Sequence, residues 1–230
     1  MAGPVVRRVF TARRDGDLAV GSDPAELAER RTRIVPGQWT WLQQVHGIEV
    51  AVVTQVGEHA GAPADAVITA VPNAVLAVHT ADCAPVLLAD EAAGVVGVAH
   101  AGWVGLESGV VQATVAAMVR LGAAPDRLCV DIGAHIGPRA YEFGRADLTR
   151  LALRYGPDLV AATLEGRPAL DLGAGVIAAL GEVGVAPTAV RASVECTATA
   201  TTETGDPRYF SWRARRDTGR QASLIWLAGS

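Results

Sequence analysis

Short apolar runs separated by turn residues dominate the chain and predict a protein built largely of buried strands. The clearest pair covers residues 84–89 and 94–99, joined by an acidic turn, and this pattern is typical of a tight hairpin. The same pattern predicts further strands at residues 5–11, 39–44, 48–55, 66–70, 74–79, 128–132, 189–194, 209–212 and 221–227.

Helical spacing of apolar residues is clearest over residues 105–121, where Gly122 supplies a typical helix end. Shorter helices are predicted at about residues 24–33, 146–155 and 172–180. Because the helices fall between pairs of strands, the predicted fold class is α+β, a mixed α/β arrangement. No internal repeat or long linker divides the chain, so we expect residues 1–230 to form a single domain.

Composition indicates which kinds of molecule the protein does not bind. Half of the 230 residues are hydrophobic, 19% are charged and the formal net charge is -4, as expected for a folded protein without a nucleic-acid surface. No apolar run approaches the roughly 20 residues that a membrane-spanning helix needs. We therefore expect a cytoplasmic monomer that binds neither nucleic acid nor membrane.

Cysteine and lysine usage exclude several kinds of chemistry. Cys83, Cys129 and Cys196 form no CxxC pair, which favours a reducing compartment, and the apolar context of Cys129 predicts a core position. All 20 basic residues are arginine. Without lysine, Schiff-base chemistry, pyridoxal phosphate attachment and a P-loop are excluded, and phosphate must be bound by arginine or backbone N–H groups.

The hairpin brings together two reactive side chains. Cys83 stands at the start of its first strand and His100 at the end of its second, while His46 lies at a break between two other strand-like segments. Two histidines and a cysteine with an open fourth position would form a catalytic zinc site. A buried cysteine with two ordinary histidines also fits the spacing, as does a Cys83 nucleophile with His100 as its base. In either enzyme, Asp82 would orient a neighbouring group or contact substrate.

Five ordered sequence blocks resemble one known family, the laccase-domain family, long labelled polyphenol oxidase and regarded as zinc-dependent purine nucleoside enzymes. The resemblance covers essentially the whole chain. The blocks are Gln44-Val45-His46-Gly47, Thr80-Ala81-Asp82-Cys83, Ala99-His100-Ala101-Gly102, Ile136-Gly137-Pro138 with Tyr141-Glu142, and Tyr209-Phe210-Ser211 with Thr218-Gly219-Arg220.

This resemblance implies a four-layer α/β/β/α fold. It also implies phosphorolysis of adenosine, inosine, guanosine or methylthioadenosine, together with deamination of adenosine. Zinc, with copper as a possible substitute, would be held by the family's three ligand positions, and phosphate and a purine nucleoside would be the partners. The expected metal ligands are His46, Cys83 and His100, the expected catalytic residues Asp82, Cys83 and His100, and the expected substrate contacts Gln44, Ser211 and Arg213.

Departures from the family pattern fall near the expected substrate site. Val104 stands where relatives usually carry arginine, and Arg139 and Ala140 replace a common pair of cysteines. Losing a guanidinium predicts weak phosphorolysis with deamination spared. Two alternatives stay open: a metal-free cysteine hydrolase or deamidase, and a zinc-stabilised binding protein with little turnover. The substrate pocket is expected between His46 and residues 102–105, 133–138 and 211–213.

Overall fold

Two β-sheets stacked face to face form the centre of the structure, a computed structural model that describes residues 5–229. The smaller sheet has the order β1-β12-β5-β2, and the larger has the order β11-β8-β6-β7-β4-β3; β9 and β10 form a separate hairpin. The strands are β1 (Val5–Phe10), β2 (Trp39–Trp41), β3 (Val50–Val53), β4 (Ala66–Thr69), β5 (Val75–Thr80), β6 (Ala84–Asp90), β7 (Val95–Ala101), β8 (Cys129–Ile132), β9 (Val160–Ala162), β10 (Pro168–Leu170), β11 (Val190–Ala192) and β12 (Gln221–Ala228).

Helices cover the two outer faces. They are α1 (Pro24–Ile34), α2 (Trp103–Ser108), α3 (Val110–Arg120), α4 (Arg145–Tyr155), α5 (Leu172–Glu182) and the single turn α6 (Trp212–Arg215). The Asp23 side chain caps α1 by accepting hydrogen bonds from the N–H groups of Ala25 and Glu26. Over residues 5–229, no helix has the length and hydrophobicity that crossing a membrane requires.

Alternating side chains explain the four layers. Along β6, Val86 and Leu88 pack against the helices of the larger sheet, whereas Leu87 points to the smaller sheet and contacts the cluster that includes Val78. The opposite face of the smaller sheet carries Ala77 in the cluster that α1 covers. Because β6 and β7 are buried on both faces, their sequences are continuous apolar runs without alternating polar residues. The predicted α+β class and four-layer α/β/β/α arrangement are confirmed.

Three local predictions were wrong. The single helix expected over residues 105–121 is two helices, because Gly109 adopts φ 103°, a left-handed conformation that ends α2 and opens α3. Residues 209–212 do not form a strand, since Ser211 instead caps α6. Cys129, expected in the core, is exposed at the first position of β8, because Leu128, Val130 and Ile132 pack into the core and strand alternation directs Cys129 to the opposite face.

Candidate metal centre and active site

The β6–β7 hairpin positions two of the three predicted ligands at one end of the larger sheet. Its register pairs Pro85 with His100 and Ala84 with Ala101, so Cys83, directly before β6, lies beside the end of β7. His46 comes from the loop after β2 and has a left-handed backbone, with φ 60°. The hairpin predicted from the apolar pattern therefore brings the thiol and the imidazole together.

Three side chains converge here as a compact triad of nitrogen and sulfur donors. The ligand atoms of His46, Cys83 and His100 all lie within 4.8 Å of one another. Cys83 Sγ is 3.9 Å from His46 Nε2, and the two imidazole rings meet edge to face with centroids 4.8 Å apart. Gly102 leaves the space that the triad occupies. A Cβ there would lie 2.8 Å from His46 Cδ2 and 3.1 Å from Cys83 Sγ.

Asp65 organises the triad and was not foreseen from the sequence. Its carboxylate is completely buried and accepts a 2.8 Å hydrogen bond from His100 Nδ1. The same carboxylate accepts from the backbone N–H groups of Val45, His46 and Gly47 at 3.1, 3.0 and 2.7 Å. Because Nδ1 of His100 donates to Asp65, Nε2 is left to face the thiol or a metal. One carboxylate thus fixes a ligand's tautomer and the backbone of the loop that carries another.

Cys83 and His100 shift each other's pKa in opposite directions. Burial alone would raise the pKa of Cys83, but the imidazoles of His100 and His46 outweigh it and lower this pKa to about 6. Burial alone would lower the pKa of His100, but the Cys83 thiolate and the Asp65 carboxylate raise it to about 9. The pKa of Asp65 is lowered, since hydrogen bonds from His100 and the loop N–H groups outweigh the cost of burial. The chain without metal therefore holds a thiolate beside an imidazolium at neutral pH.

The triad has the chemistry of a transition-metal site. A thiolate and two imidazole nitrogens are donors that zinc and copper prefer, and three protein ligands leave a coordination position for a reactant. A carboxylate behind a ligating histidine is the usual support for such a ligand. The residues present therefore fit a bound metal ion, and within residues 5–229 no other group of three or more such side chains converges in this way.

Asp82 is held by a buried polar junction. It adopts φ 97°, and its carboxylate accepts 2.6 Å hydrogen bonds from the hydroxyls of Thr197 and Ser211 and from the backbone N–H of Arg213. Ser211 is fully buried and also accepts from the Ala214 N–H as the cap of α6. The structure therefore places Ser211 behind the cavity wall and not at the predicted substrate contact. Asp82 itself lines the cavity.

The triad opens into a cavity of about 900 Å³. Gln44 and Arg213, two predicted substrate contacts, both line it. The Gln44 side chain amide exchanges two 2.8 Å hydrogen bonds with the backbone of His79, so much of its hydrogen-bonding capacity serves the end of β5. The Arg213 guanidinium stacks over Tyr141 at 4.9 Å and donates to the Glu142 carbonyl.

Two walls differ from the prediction. Residues 133–138 lie at the expected end of the sheet, where the Ile136 N–H bonds the Asp82 carbonyl, but they do not line the cavity. Residues 17, 19–22, 218 and 220 form a wall that was not among those predicted. Val104 is 36% exposed and does not line the cavity, although the preceding residue, Trp103, does.

Comparisons with known proteins agree with this architecture. The family described as "Multi-copper polyphenol oxidoreductase laccase" matches residues 8–228. This chain belongs to that family. A Streptomyces griseus protein named purine nucleoside phosphorylase is 46% identical over 91% of this chain and 85% of its own, and a Mycobacterium tuberculosis protein of the same name is 36% identical over 96% and 92%.

Solved structures of the same fold cover nearly the whole chain. A Neisseria meningitidis protein superposes with a TM-score of 0.84 at 30% identity and covers 100% of this chain and 97% of its own. YlmD from Geobacillus stearothermophilus gives a TM-score of 0.82 at 28% identity, with coverages of 99% and 93%. These likenesses confirm the predicted family.

Proposed function

We propose that this protein is a zinc-dependent enzyme of purine nucleosides, which phosphorolyses substrates such as inosine and deaminates adenosine. The observation that carries the proposal is the His46–Cys83–His100 triad at the wall of a cavity large enough for a nucleoside. Relatives named purine nucleoside phosphorylase support the substrate class. The family's description names several coppers and a laccase, but residues 5–229 bring together a single group of three ligands.

The side chains around the cavity have distinct tasks in this proposal. A metal ion held by the triad would supply Lewis-acid polarisation next to the reacting carbon. Asp65 keeps His100 in the tautomer that presents Nε2, and Asp82 holds the turn that carries Cys83. Asp82 Oδ2 accepts one hydrogen bond from the protein and retains capacity to accept another from a substrate hydroxyl or an attacking water.

Aromatic and cationic groups of the cavity fit a purine and a phosphate. Tyr141, Trp103 and Trp212 line it. Tyr141 is buried beneath the Arg213 guanidinium, whereas Trp212 is exposed and offers its ring to a base. The pKa of Tyr141 is raised by burial and by the Cys83 thiolate, so its hydroxyl stays a neutral donor. Arg213 is fixed by its stacking on Tyr141 and carries the positive charge that phosphate requires in a chain without lysine.

Product analysis is the test of this function. Inosine with phosphate is expected to yield hypoxanthine and ribose 1-phosphate, and adenosine is expected to yield inosine and ammonia. Both products would be followed by chromatography. Hypoxanthine release that continues unchanged without phosphate would refute phosphorolysis. Binding of nucleoside without turnover would instead support the zinc-stabilised binding protein.

A metal-free cysteine hydrolase or deamidase is the second candidate, because the thiolate–imidazolium pair of Cys83 and His100 would be a competent nucleophile and acid. His46 separates the two enzymes, since a nucleophile pair has no need of it. We expect His46→Ala to lose metal and turnover together. Full activity in His46→Ala would favour the cysteine mechanism.

A further inference from the structure

Two arginines line the cavity without an ion-pair partner among the described residues. Within residues 5–229, Arg213 and Arg220 are the arginines of the lining, and neither pairs with a carboxylate. Arg215, on the same segment, instead pairs with Asp217 at 3.0 Å. Because the chain has no lysine, Arg213 and Arg220 are the cationic side chains of the described wall away from the triad.

The guanidinium of Arg220 is fixed through one of its nitrogens. Nη1 donates to the carbonyls of Asp217, Thr218 and Gly219 at 3.2, 2.8 and 2.9 Å. Nε and Nη2 form no hydrogen bond within residues 5–229, and neither is enclosed, since the half-buried side chain leaves both with accessible surface. Arg220 therefore presents free donors from a guanidinium whose orientation is already set, which lowers the entropy cost of binding an anion.

Both arginines border the turn that carries Cys83. β12 begins directly after Arg220, and its first residue pairs with the last residue of β5, just before that turn. The Arg213 N–H donates to Asp82 in the turn itself at 2.6 Å. Arg220 is also tied to the start of α6, because the Asp217 that accepts from it donates its own N–H to the carbonyl of the residue that caps α6. The two guanidinium groups thus belong to the part of the wall that adjoins the triad.

The carboxylates of the same lining are occupied by donors of the protein. Asp17 Oδ1 accepts from the N–H groups of Ala19 and Arg220, and Asp82 accepts from two hydroxyls and from the Arg213 N–H. These donors offset part of the negative charge that would repel an anion. A guanidinium fork matches two oxygens of a tetrahedral oxyanion, and two such forks suit a dianion better than a neutral group or a single carboxylate.

We propose that Arg220 and Arg213 together bind the free phosphate dianion that reacts with the nucleoside. This inference rests on the proposed phosphorolysis and adds Arg220 to the residues that take part in it. It assigns the charge that phosphate requires to the wall beside the Cys83 turn, and not to position 104, which does not line the cavity.

The test uses inorganic phosphate, with binding measured by calorimetry and with the KM values for phosphate and inosine measured by hypoxanthine release. Arg220→Gln should weaken phosphate binding and raise the KM for phosphate roughly ten- to a hundredfold. The KM for inosine should change by less than about threefold, which a general disturbance of the turn at residues 217–219 would not allow. Arg220→Lys keeps the charge without the fork and should give an intermediate KM for phosphate. Sulfate, which has the same shape and charge, should compete with phosphate in the wild-type protein.

Arg216→Gln is the matched control, because it removes one charge from the same segment, while Arg216 stacks over Trp212 outside the cavity lining. Its KM for phosphate should stay within about twofold of the wild-type value, since a solvated charge is screened. An unchanged KM for phosphate in Arg220→Gln would overturn the proposal, as would a wild-type protein that binds no phosphate.

Inosine 5′-monophosphate separates free phosphate from phosphate carried by the nucleoside. It should bind no more tightly than inosine. Tighter binding that is lost in Arg220→Gln would overturn the assignment to free phosphate. Phosphate binding that depends on Arg220 without phosphorolysis would support the site and refute the proposed phosphorylase. Phosphorolysis with an unchanged KM for phosphate in Arg220→Gln would do the reverse.

Discussion

Replacing Asp65 by asparagine tests whether one buried carboxylate organises the metal centre. Oδ1 accepts from His46 N and His100 Nδ1, and Oδ2 accepts from Val45 N and Gly47 N. An asparagine side chain keeps one oxygen and replaces the other with a donor. Whichever way the amide turns, two N–H groups then face an NH₂ group inside a fully buried site.

Losing two hydrogen bonds to a buried charged group costs about 3 kcal/mol or more of the free energy of unfolding. Without those hydrogen bonds, neither the His100 tautomer nor the loop that carries His46 is held in place. We therefore expect a metal affinity roughly 10- to 100-fold weaker. Urea denaturation of metal-free protein would measure the first effect. Competition with a chelator of known affinity would measure the second.

Asp90 provides the control, because it is equally buried but lies at the far end of β6, paired with Arg127. Asp90→Asn should lower the free energy of unfolding while leaving metal affinity within about twofold, since it touches no part of the triad. Metal affinity in Asp65→Asn that matches the wild-type protein would refute the supporting role of Asp65.

Gly102, His79 and Val104 can each be tested by a single substitution. Gly102→Ala should weaken metal binding about tenfold in the same competition assay, because its Cβ would lie 2.8 Å from His46 Cδ2. Unchanged affinity would show that the loop carrying His46 can move away without loss of the metal site. His79 should make folding sensitive to acid, since its pKa is about 3 when folded and about 6.5 when unfolded. The stabilisation is complete above pH 6.5 and falls by about 2 kcal/mol between pH 7 and pH 5, a loss that urea denaturation should not find in His79→Phe. Val104→Arg should leave the KM for phosphate within about twofold, as Val104 lies outside the cavity lining; a tenfold lower KM would restore the expectation drawn from the sequence.

Local patterns predicted the part of the site that the hairpin builds. Cys83 and His100 lie at the two ends of neighbouring apolar runs, so a tight turn is enough to bring them together. His46 was a candidate from its place at a strand break, and the resemblance turned that open possibility into an expected metal ligand. The triad geometry agrees with the ligand set that the resemblance implied.

Two parts of the site were not predicted, because they reach it through contacts between residues that are far apart in the sequence. Asp65 directly precedes β4, and only the register of β4 with β7, which pairs Ala66 with Ala99, shows that its side chain meets His100. Nothing in the residues around Asp65 signals that register. The wall at residues 17–22 is likewise brought to the cavity by contacts with the chain near Arg220, about 200 positions away.

Helix and strand errors had local causes. Gly109 interrupts an otherwise regular apolar pattern, and a glycine inside such a pattern is compatible with either a continuous helix or a left-handed break. Residues 209–212 are rich in aromatic side chains, which favours a strand, but the hydrogen bonds that Ser211 makes to Asp82 and Ala214 win over that propensity.

Metal content tests the central claim most directly. Protein purified without a histidine tag should hold about one zinc per chain, and His46→Ala, Cys83→Ser and His100→Ala should each lose the metal and phosphate-dependent hypoxanthine release together. Elemental analysis and the inosine assay on the same samples give both values. Activity that persists in His46→Ala without bound metal would contradict the account.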